Sequence, residues 1–297
     1  MVANAIAEAI AHFNLDVAAI DSGDDSYSST VRLLTLSSGE RVVLKIPWVR
    51  RKLQREVSAL QALADDMPVP ILLDVWDPGE DGTRAGAILL SYLPGAVVTG
   101  PVSPHLAREM GALLARLHLH RRAHFGDDAD AGHASGDWWG LLHRSHDTWR
   151  PHCRAVLPPD LWRKARDRYE QLFANLPAVD GPCWVHSDYR PGNILVTGEG
   201  DRCRITGLID FESARGGSAD YDFVKISHYV WDVVTGTRDT FCEGYAALRP
   251  LPNIDRTLPF YRLHNAIGGI AWCVRRTNTA DPFFQENLAV IEESVSS

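Results

Sequence analysis

The chain has 297 residues, 45% of them apolar and 23% charged, a globular composition long enough for one large domain or two lobes. Its formal net charge is −8, and neither the first 95 residues nor the rest is basic, which argues against a nucleic-acid partner and mildly favours a cationic ligand. Five widely spaced cysteines without a C-x-x-C pair indicate neither a disulfide framework nor a zinc site and fit a reducing cytoplasm, and no apolar run reaches membrane-spanning length.

The N-terminal MVANAIAEAIAHFNL lacks the basic start of a signal peptide, carries Glu8 and spaces Ile6, Ile10 and Phe13 as one face of a short helix. The polar DSGDDSYSST follows. VRLLTLSSGERVVLKIPW then reads as two strands turning at Ser38-Gly39, and WVRRKLQREVSALQAL as a helix with Leu53, Val57, Leu60 and Leu63 on one face, closed by Asp65, Asp66 and Pro68. VPILLDVWDP and AGAILLSYLPG predict two more strands around a turn rich in Gly and Asp. From Pro94 the pattern is helical: SPHLAREMGALLARLHLH puts Leu106, Met110, Leu113, Leu114 and Leu117 on one stripe. Residues 123–136 read as a loop, and DTWRPHCRAV and DLWRKARDRYEQLFANL as helices either side of Pro158-Pro159. NILVTGEGDRCRITGLIDFE predicts a hairpin within this helical region.

That hairpin carries the chemistry. In WVHSDYRPGNILV and GLIDFESARGGSADYDFVKI, Asn193 enters the first strand and Asp210 closes the return strand, so the turn brings both to one end. An amide oxygen and a carboxylate are hard donors suited to magnesium, with phosphates and water filling its other positions. Asp188, five residues before Asn193, is then placed to accept the proton of an attacking hydroxyl in phosphoryl transfer.

H-x-D-x-x-x-x-N followed by I-D-F resembles the signature of the aminoglycoside phosphotransferase and choline kinase superfamily. The resemblance implies an α+β, two-lobed, protein-kinase-like fold: an N-lobe over residues 1–93 with an antiparallel sheet, and a mostly helical C-lobe over residues 94–297. It implies Asp188 as base, His186 holding the catalytic loop, Asn193 and Asp210 on Mg2+, and Asp222 bracing the loop. Lys45 at a strand end and Glu56 in the next helix match the kinase pair that grips and orients the nucleotide phosphates. The loop with Ser26 and Ser28 would cover those phosphates, although Gly23 is its only glycine; Ser91 and Leu93 would lie in the linker that meets the purine of ATP or GTP.

Other residues are open. Arg190 could steady the transferring phosphate or pair with a neighbour. Glu212 and Asp220 are candidate acceptor-binding carboxylates, suited to a cationic antibiotic, an aminoglycoside or a tuberactinomycin-type peptide, whose modification would confer resistance. A metabolic kinase of choline, homoserine, a sugar or a macrolide is the alternative, with a pseudokinase scaffold or a metal-dependent hydrolase further off, since no catalytic residue is missing and a hydrolase leaves Lys45 and Glu56 unexplained. Trp138, Trp139, Trp149 and Trp162 read as core more readily than as cleft lining, and His118, His120, His124 and His133 as surface histidines without a ligand pattern.

Overall fold

The computed structural model describes residues 2–21, 28–79, 86–127 and 134–296. In chain order the elements are α1 (Val2–His12), β1 (Val17–Asp21), β2 (Ser29–Leu36), β3 (Arg41–Pro47), α2 (Arg50–Leu63), β4 (Leu72–Trp76), β5 (Ala87–Ser91), β6 (Ala96–Val97), α3 (Pro104–Leu119), α4 (Trp138–Val156), α5 (Pro159–Phe173), β7 (Cys183–Val185), β8 (Ile194–Thr197), β9 (Arg204–Leu208), β10 (Arg215–Gly217), α6 (Phe223–Ile226), α7 (Thr237–Ala246), α8 (Ile254–Arg275) and α9 (Pro282–Ser296).

Strands β1 to β5 form one antiparallel sheet in the order β1-β2-β3-β5-β4. The β2–β3 turn places Gly39 at φ +88°, a left-handed conformation that glycine adopts without steric cost. On one side α1 buries Ile6 and Ala9 against Leu34, Val42, Leu44, Ala87 and Leu89. Helix α2 buries Leu53, Ala59, Leu60 and Leu63, and on that same face Glu56. A charged residue within an apolar stripe has to find a partner inside.

The helical lobe has a second core. Trp138 and Trp162 are buried among Tyr169, Phe260 and Tyr261, while Trp139 and Trp149 pack against this cluster, so the tryptophans serve packing. Helices α3 and α7 approach so closely that a Cβ on Gly111 would lie 2.0 Å from the carbonyl oxygen of Phe241, and one on Gly244 2.0 Å from that of Arg108. This contact fixes α3 against α7, and α3 in turn accepts a hydrogen bond from Tyr189. Among the described residues no helix is long and apolar enough to cross a membrane.

Several features depart from the sequence reading, the short strands β6, β7 and β10 among them. Strand β1 was not expected, because VAAID is mostly exposed on an edge and shows no two-residue alternation. Helix α4 starts at Trp138, ahead of the expected start at Asp147, because Trp138, Leu141 and Leu142 bury one face against α8.

His146 lies wholly inside this core, stacked on Tyr169 with ring centroids 3.8 Å apart, and neither ring nitrogen has a hydrogen-bond partner. Burial, reinforced by Arg150 and His143, pushes its pKa down to about 4. The unfolded chain therefore binds a proton near the ordinary histidine value that the folded chain refuses, and stability, complete above that value, declines as pH falls towards 4. His146→Phe should keep the stack and reduce this loss, so thermal melts between pH 7 and 4.5 should fall less steeply for the variant. Equal slopes for the two proteins would show that His146 does not contribute.

Candidate active site

The β8–β9 hairpin sets the geometry. Ile194 pairs with Leu208, and the N–H of Ile209 donates to the carbonyl of Asn193 at 3.0 Å, so Asn193 and the approach to Asp210 lie side by side at its open end. Asp210 itself sits at φ +69°, ψ +60°, a left-handed conformation unusual for a side-chain-bearing residue and stable only where the surroundings fix it. Phe211, wholly buried against the His186 ring, is one such anchor.

Around Asp210 the two lobes meet in a cluster of charges. Lys45 Nζ from β3 lies 2.6 Å from Glu56 Oε2 of α2, 2.6 Å from Asp210 Oδ1 and 3.6 Å from Glu212 Oε2. Lys52 Nζ closes the set at 2.7 Å from Glu212 Oε1. Burial alone would push the Lys45 pKa down, but Glu56, Asp210 and Glu212 outweigh it and the ammonium is held charged. Burial raises Glu56 to about 7 against the pull of Lys45, whereas at Asp210 the lysine overcomes burial and lowers the pKa. Three carboxylates stand against two ammonium groups, with Glu56 only partly ionised near neutral pH, and Glu212 Oε2 is a buried oxygen without a hydrogen-bond donor. Oxygens of Glu56, Asp210 and Glu212 all lie within 4.8 Å of one another. Clustered hard oxygens, one of them without a hydrogen bond, are donors of the kind a magnesium ion takes.

Asp188 lies in the adjoining loop. Asn193 Nδ2 donates to its carbonyl at 2.9 Å and to Oδ2 at 3.0 Å, which leaves the Asn193 amide oxygen as the donor atom for a cation. Arg190 Nε donates to Asp188 Oδ2 at 3.0 Å, and Lys225 Nζ stands 3.9 Å from Oδ1. Arg190 thus touches the candidate base directly. Lys225, from α6, also lines a pocket of about 440 Å³, its open mouth included, whose wall includes His228, Tyr229, Arg262, Phe283 and Glu286.

The loop is held from below by one carboxylate. Asp222 accepts from the backbone N–H groups of His186 and Ser187, each at 2.7 Å, and faces His118 Nε2 at 3.2 Å; His118 Nδ1 in turn meets the hydroxyl of Tyr245 at 2.9 Å. Ser187 is at φ +65°, so the double grip of Asp222 holds a strained turn. His186 Nε2 bonds the carbonyl of Ile209 at 3.0 Å and its Nδ1 receives the Asp188 N–H at 3.3 Å, which ties the loop to the hairpin and makes the ring a spacer. The buried Tyr189 hydroxyl donates to the Met110 carbonyl of α3 at 2.8 Å.

Several expected residues lie elsewhere. Asp220 is buried in the helical core, accepting from the Tyr261 hydroxyl at 2.8 Å, and burial raises its pKa; it does not line the pocket. Glu212 belongs to the Lys45 cluster and likewise does not line the pocket. His118 is not a surface histidine but fully buried, its pKa lowered by that burial. Ser91 receives the Ile71 N–H on its hydroxyl at 2.9 Å, and Leu93 packs onto Gly207 of β9, where a Cβ would come within 2.8 Å of it. Ser28 takes the Trp48 N–H on its carbonyl at the end of the β2–β3 ladder. Ser26, Gly23 and His133 lie outside the described residues. The sequence reading missed Lys52, Lys225, Tyr229 and Tyr189. Of these only Tyr189, between the two polar positions of the H-x-D motif and Arg190, carried a signal, as a large apolar ring in a polar loop.

Comparison with known proteins agrees with this fold. The phosphotransferase enzyme family matches residues 19–260. Among curated proteins none matches in sequence. Solved structures of similar fold include a thermostable mutant of aminoglycoside phosphotransferase APH(4)-Ia in ternary complex with AMP-PNP and hygromycin B (TM-score 0.71, 16% identity, 97% of this chain and 96% of that chain covered). Macrolide 2'-phosphotransferase MphH from Brachybacterium faecium is similar at TM-score 0.66 and 18% identity, with 97% of each chain covered. A microcompartment-associated aminopropanol kinase is similar at TM-score 0.70 and 19% identity, with 98% of this chain and 95% of that one covered. The two-lobed architecture is therefore that of the kinase-like phosphotransferases.

Asp222→Ala would leave two backbone donors and His118 without their acceptor inside the protein. It should destabilise the fold by about 2–4 kcal/mol, read as a lower urea midpoint, with Asp222→Asn intermediate. An unchanged midpoint in the alanine variant would remove Asp222 from the role of brace.

Proposed function

We propose, for a chain that belongs to the phosphotransferase enzyme family, that Asp188 is the base of a reaction moving the γ-phosphoryl group of ATP or GTP to a hydroxyl of a small molecule. The observation that carries this reading is the Asp188 carboxylate, oriented by Arg190 and Asn193 beside a pocket, with the buried Lys45–Glu56 pair across the same hairpin end. As the acceptor oxygen bonds the γ-phosphorus, the bond to the β-phosphate oxygen breaks, the hydroxyl proton passes to Asp188, and the nucleoside diphosphate departs.

Each side chain has a part. Lys45, held charged and oriented by Glu56, takes the α- and β-phosphates. Asn193 and Asp210 would hold Mg2+, which supplies charge neutralisation at the phosphates, and the unpaired Glu212 oxygen is a third donor in reach of the same space. Arg190 faces the transferring group; His186 and Asp222 position the loop and touch no reactant. Ser28 at the base of the loop after β1, with Ser26, would cover the phosphates, and the Ser91–Leu93 segment would meet the purine. AMP-PNP in a structural relative supports a nucleotide in this cleft.

The acceptor is less defined. A cationic antibiotic was expected on the strength of Glu212 and Asp220, and neither faces the pocket. Support for that acceptor reduces to likeness to an aminoglycoside enzyme, and a macrolide enzyme and an aminopropanol kinase are as similar. The reading therefore stops at a small hydroxylated acceptor.

Asp188→Asn should cut turnover by at least ~100-fold while nucleotide affinity stays within a few-fold, since the base meets the acceptor and not the nucleotide. Near-normal turnover would sink the assignment. Asp210→Ala should abolish the magnesium dependence of nucleotide binding; calorimetry with and without the ion reads this directly, and a persisting requirement would place the metal elsewhere.

A further inference from the structure

The pocket lined by Lys225, which approaches Asp188 through that side chain without including Asp188 in the wall, has a charge pattern that the kinase reading does not use. Lys225 is the lining cation that reaches Asp188: Nζ stands 3.9 Å from Asp188 Oδ1, beyond hydrogen-bond reach, while Arg190 takes the other carboxylate oxygen. The ammonium also lies 5.8 Å from the Tyr229 ring centroid and 5.5 Å from that of Phe283, and its side chain is only 26% exposed. Aromatic faces hold a cation loosely and strip it of water, which strengthens its pull on an anion. Two carboxylates oppose its charge, Asp188 at 3.9 Å and Glu286 in the pocket wall, and other cations stand close by. Arg262 adds a second positive charge, itself paired with Asp232. His228 is pushed towards its neutral form by burial first, with Glu286 and Glu293 opposing and Arg262 and Lys225 adding to the shift. Glu286, the carboxylate among the described lining residues, is exposed on α9.

Resting on the kinase reading, we propose that Lys225 determines acceptor specificity, and that the acceptor carries a carboxylate or another single anionic group a few bonds from the hydroxyl that is phosphorylated, on a largely apolar frame. The spacing sets this class. A hydroxyl on Asp188 Oδ1 and an anion on Lys225 Nζ contact two groups 3.9 Å apart, which a hydroxy carboxylate or hydroxy amino acid spans within one short chain. Lys225 then also screens the acceptor's own anion from the incoming phosphoryl group, a repulsion that would otherwise oppose in-line approach. Tyr229 and Phe283 offer the apolar walls for the remaining frame. A polycation would instead press ammonium groups against Lys225 and Arg262, a like-charge contact that selects against it.

The experiment uses the full chain with magnesium and ATP or GTP, and a panel of hydroxy carboxylates and hydroxy amino acids, each beside its methyl ester or amide, together with amino alcohols and kanamycin. The free acids should exceed their neutral counterparts by at least ~10-fold in kcat/KM. Lys225→Met should raise KM for the acids by ~10-fold or more while kcat falls much less, Lys225→Arg should restore part of the affinity, and Lys225→Glu should shift preference towards the amino alcohols. If cationic acceptors are the best substrates of the unaltered protein, or if Lys225→Met lowers kcat equally for acids and amides, the inference is overturned; the second result would make Lys225 a phosphoryl contact. The two readings fail differently. No magnesium-dependent nucleotide binding and no nucleotide consumption overturn the kinase reading, whereas nucleotide binding with slow, Asp188-dependent hydrolysis and no acid phosphorylated overturns the acceptor inference alone.

Discussion

One buried ammonium, that of Lys45, sets the relation between the two halves of the molecule. Strand β3 supplies the lysine, α2 supplies Glu56, the end of β9 supplies Asp210, and the turn after it supplies Glu212. Taking a single ion of this kind out of water costs several kcal/mol even after relaxation, and only close, well-aligned opposite charges offset it. The arrangement is thus self-enforcing: α2 cannot slide along the sheet, nor the hairpin withdraw from it, without stranding a charge. The left-handed turn at Asp210 is one consequence, since it brings that carboxylate to 2.6 Å from the lysine. Another is that Lys45 and Asp210 satisfy each other directly, so phosphates entering the cleft would compete with a carboxylate already in place.

The neighbouring loop is built on a different principle. Its side chains are spent mainly on backbone groups: Asp222 on two N–H donors, His186 on a carbonyl and an N–H, Tyr189 on a carbonyl of α3. Hydrogen bonds of this sort fix φ and ψ where no helix or strand can, and they leave Asp188 as the member of the loop whose carboxylate points to other side chains. The support runs deeper through His118 and Tyr245 to the tight α3–α7 contact, where two glycines allow the helices to touch. Precision at Asp188 is in this way inherited from packing far from the cleft.

What the sequence made legible follows from the range of each interaction. Helix α2 and the β2–β3 and β8–β9 hairpins rest on local periodicity and turn residues, and the positions of Asn193 and Asp210 follow from a hairpin bringing its ends together, so these were readable. Strand β1 was not, because an exposed edge strand leaves no alternation. His118 looked like a surface residue because its partner, Asp222, is 104 positions away in sequence. Glu212 and Asp220 were read as acceptor contacts because they are carboxylates near the motif, yet a one-dimensional neighbourhood does not say which side of a chain faces which cavity. Glu56 offered a clearer signal: a lone acid on the apolar face of α2 demands a buried cation, and Lys45 is the one it finds.

Net charge is a blunt guide for a related reason. A chain at −8 suggested a polycationic acceptor, but charges act through their nearest neighbours, and screening limits distant ones to about 8–10 Å at ordinary salt. Sorted by place, the charges divide. The Lys45 end has more carboxylates than ammonium groups, which suits hard cations carried in with a nucleotide. The Asp188 end sets Arg190 and Lys225 around one carboxylate, which suits a negatively charged group in transfer and one beside it on the acceptor. Opposite local excesses at the Lys45 and Asp188 ends are averaged away in a single net charge, so the sum carries no information about which ligand charge either end accepts.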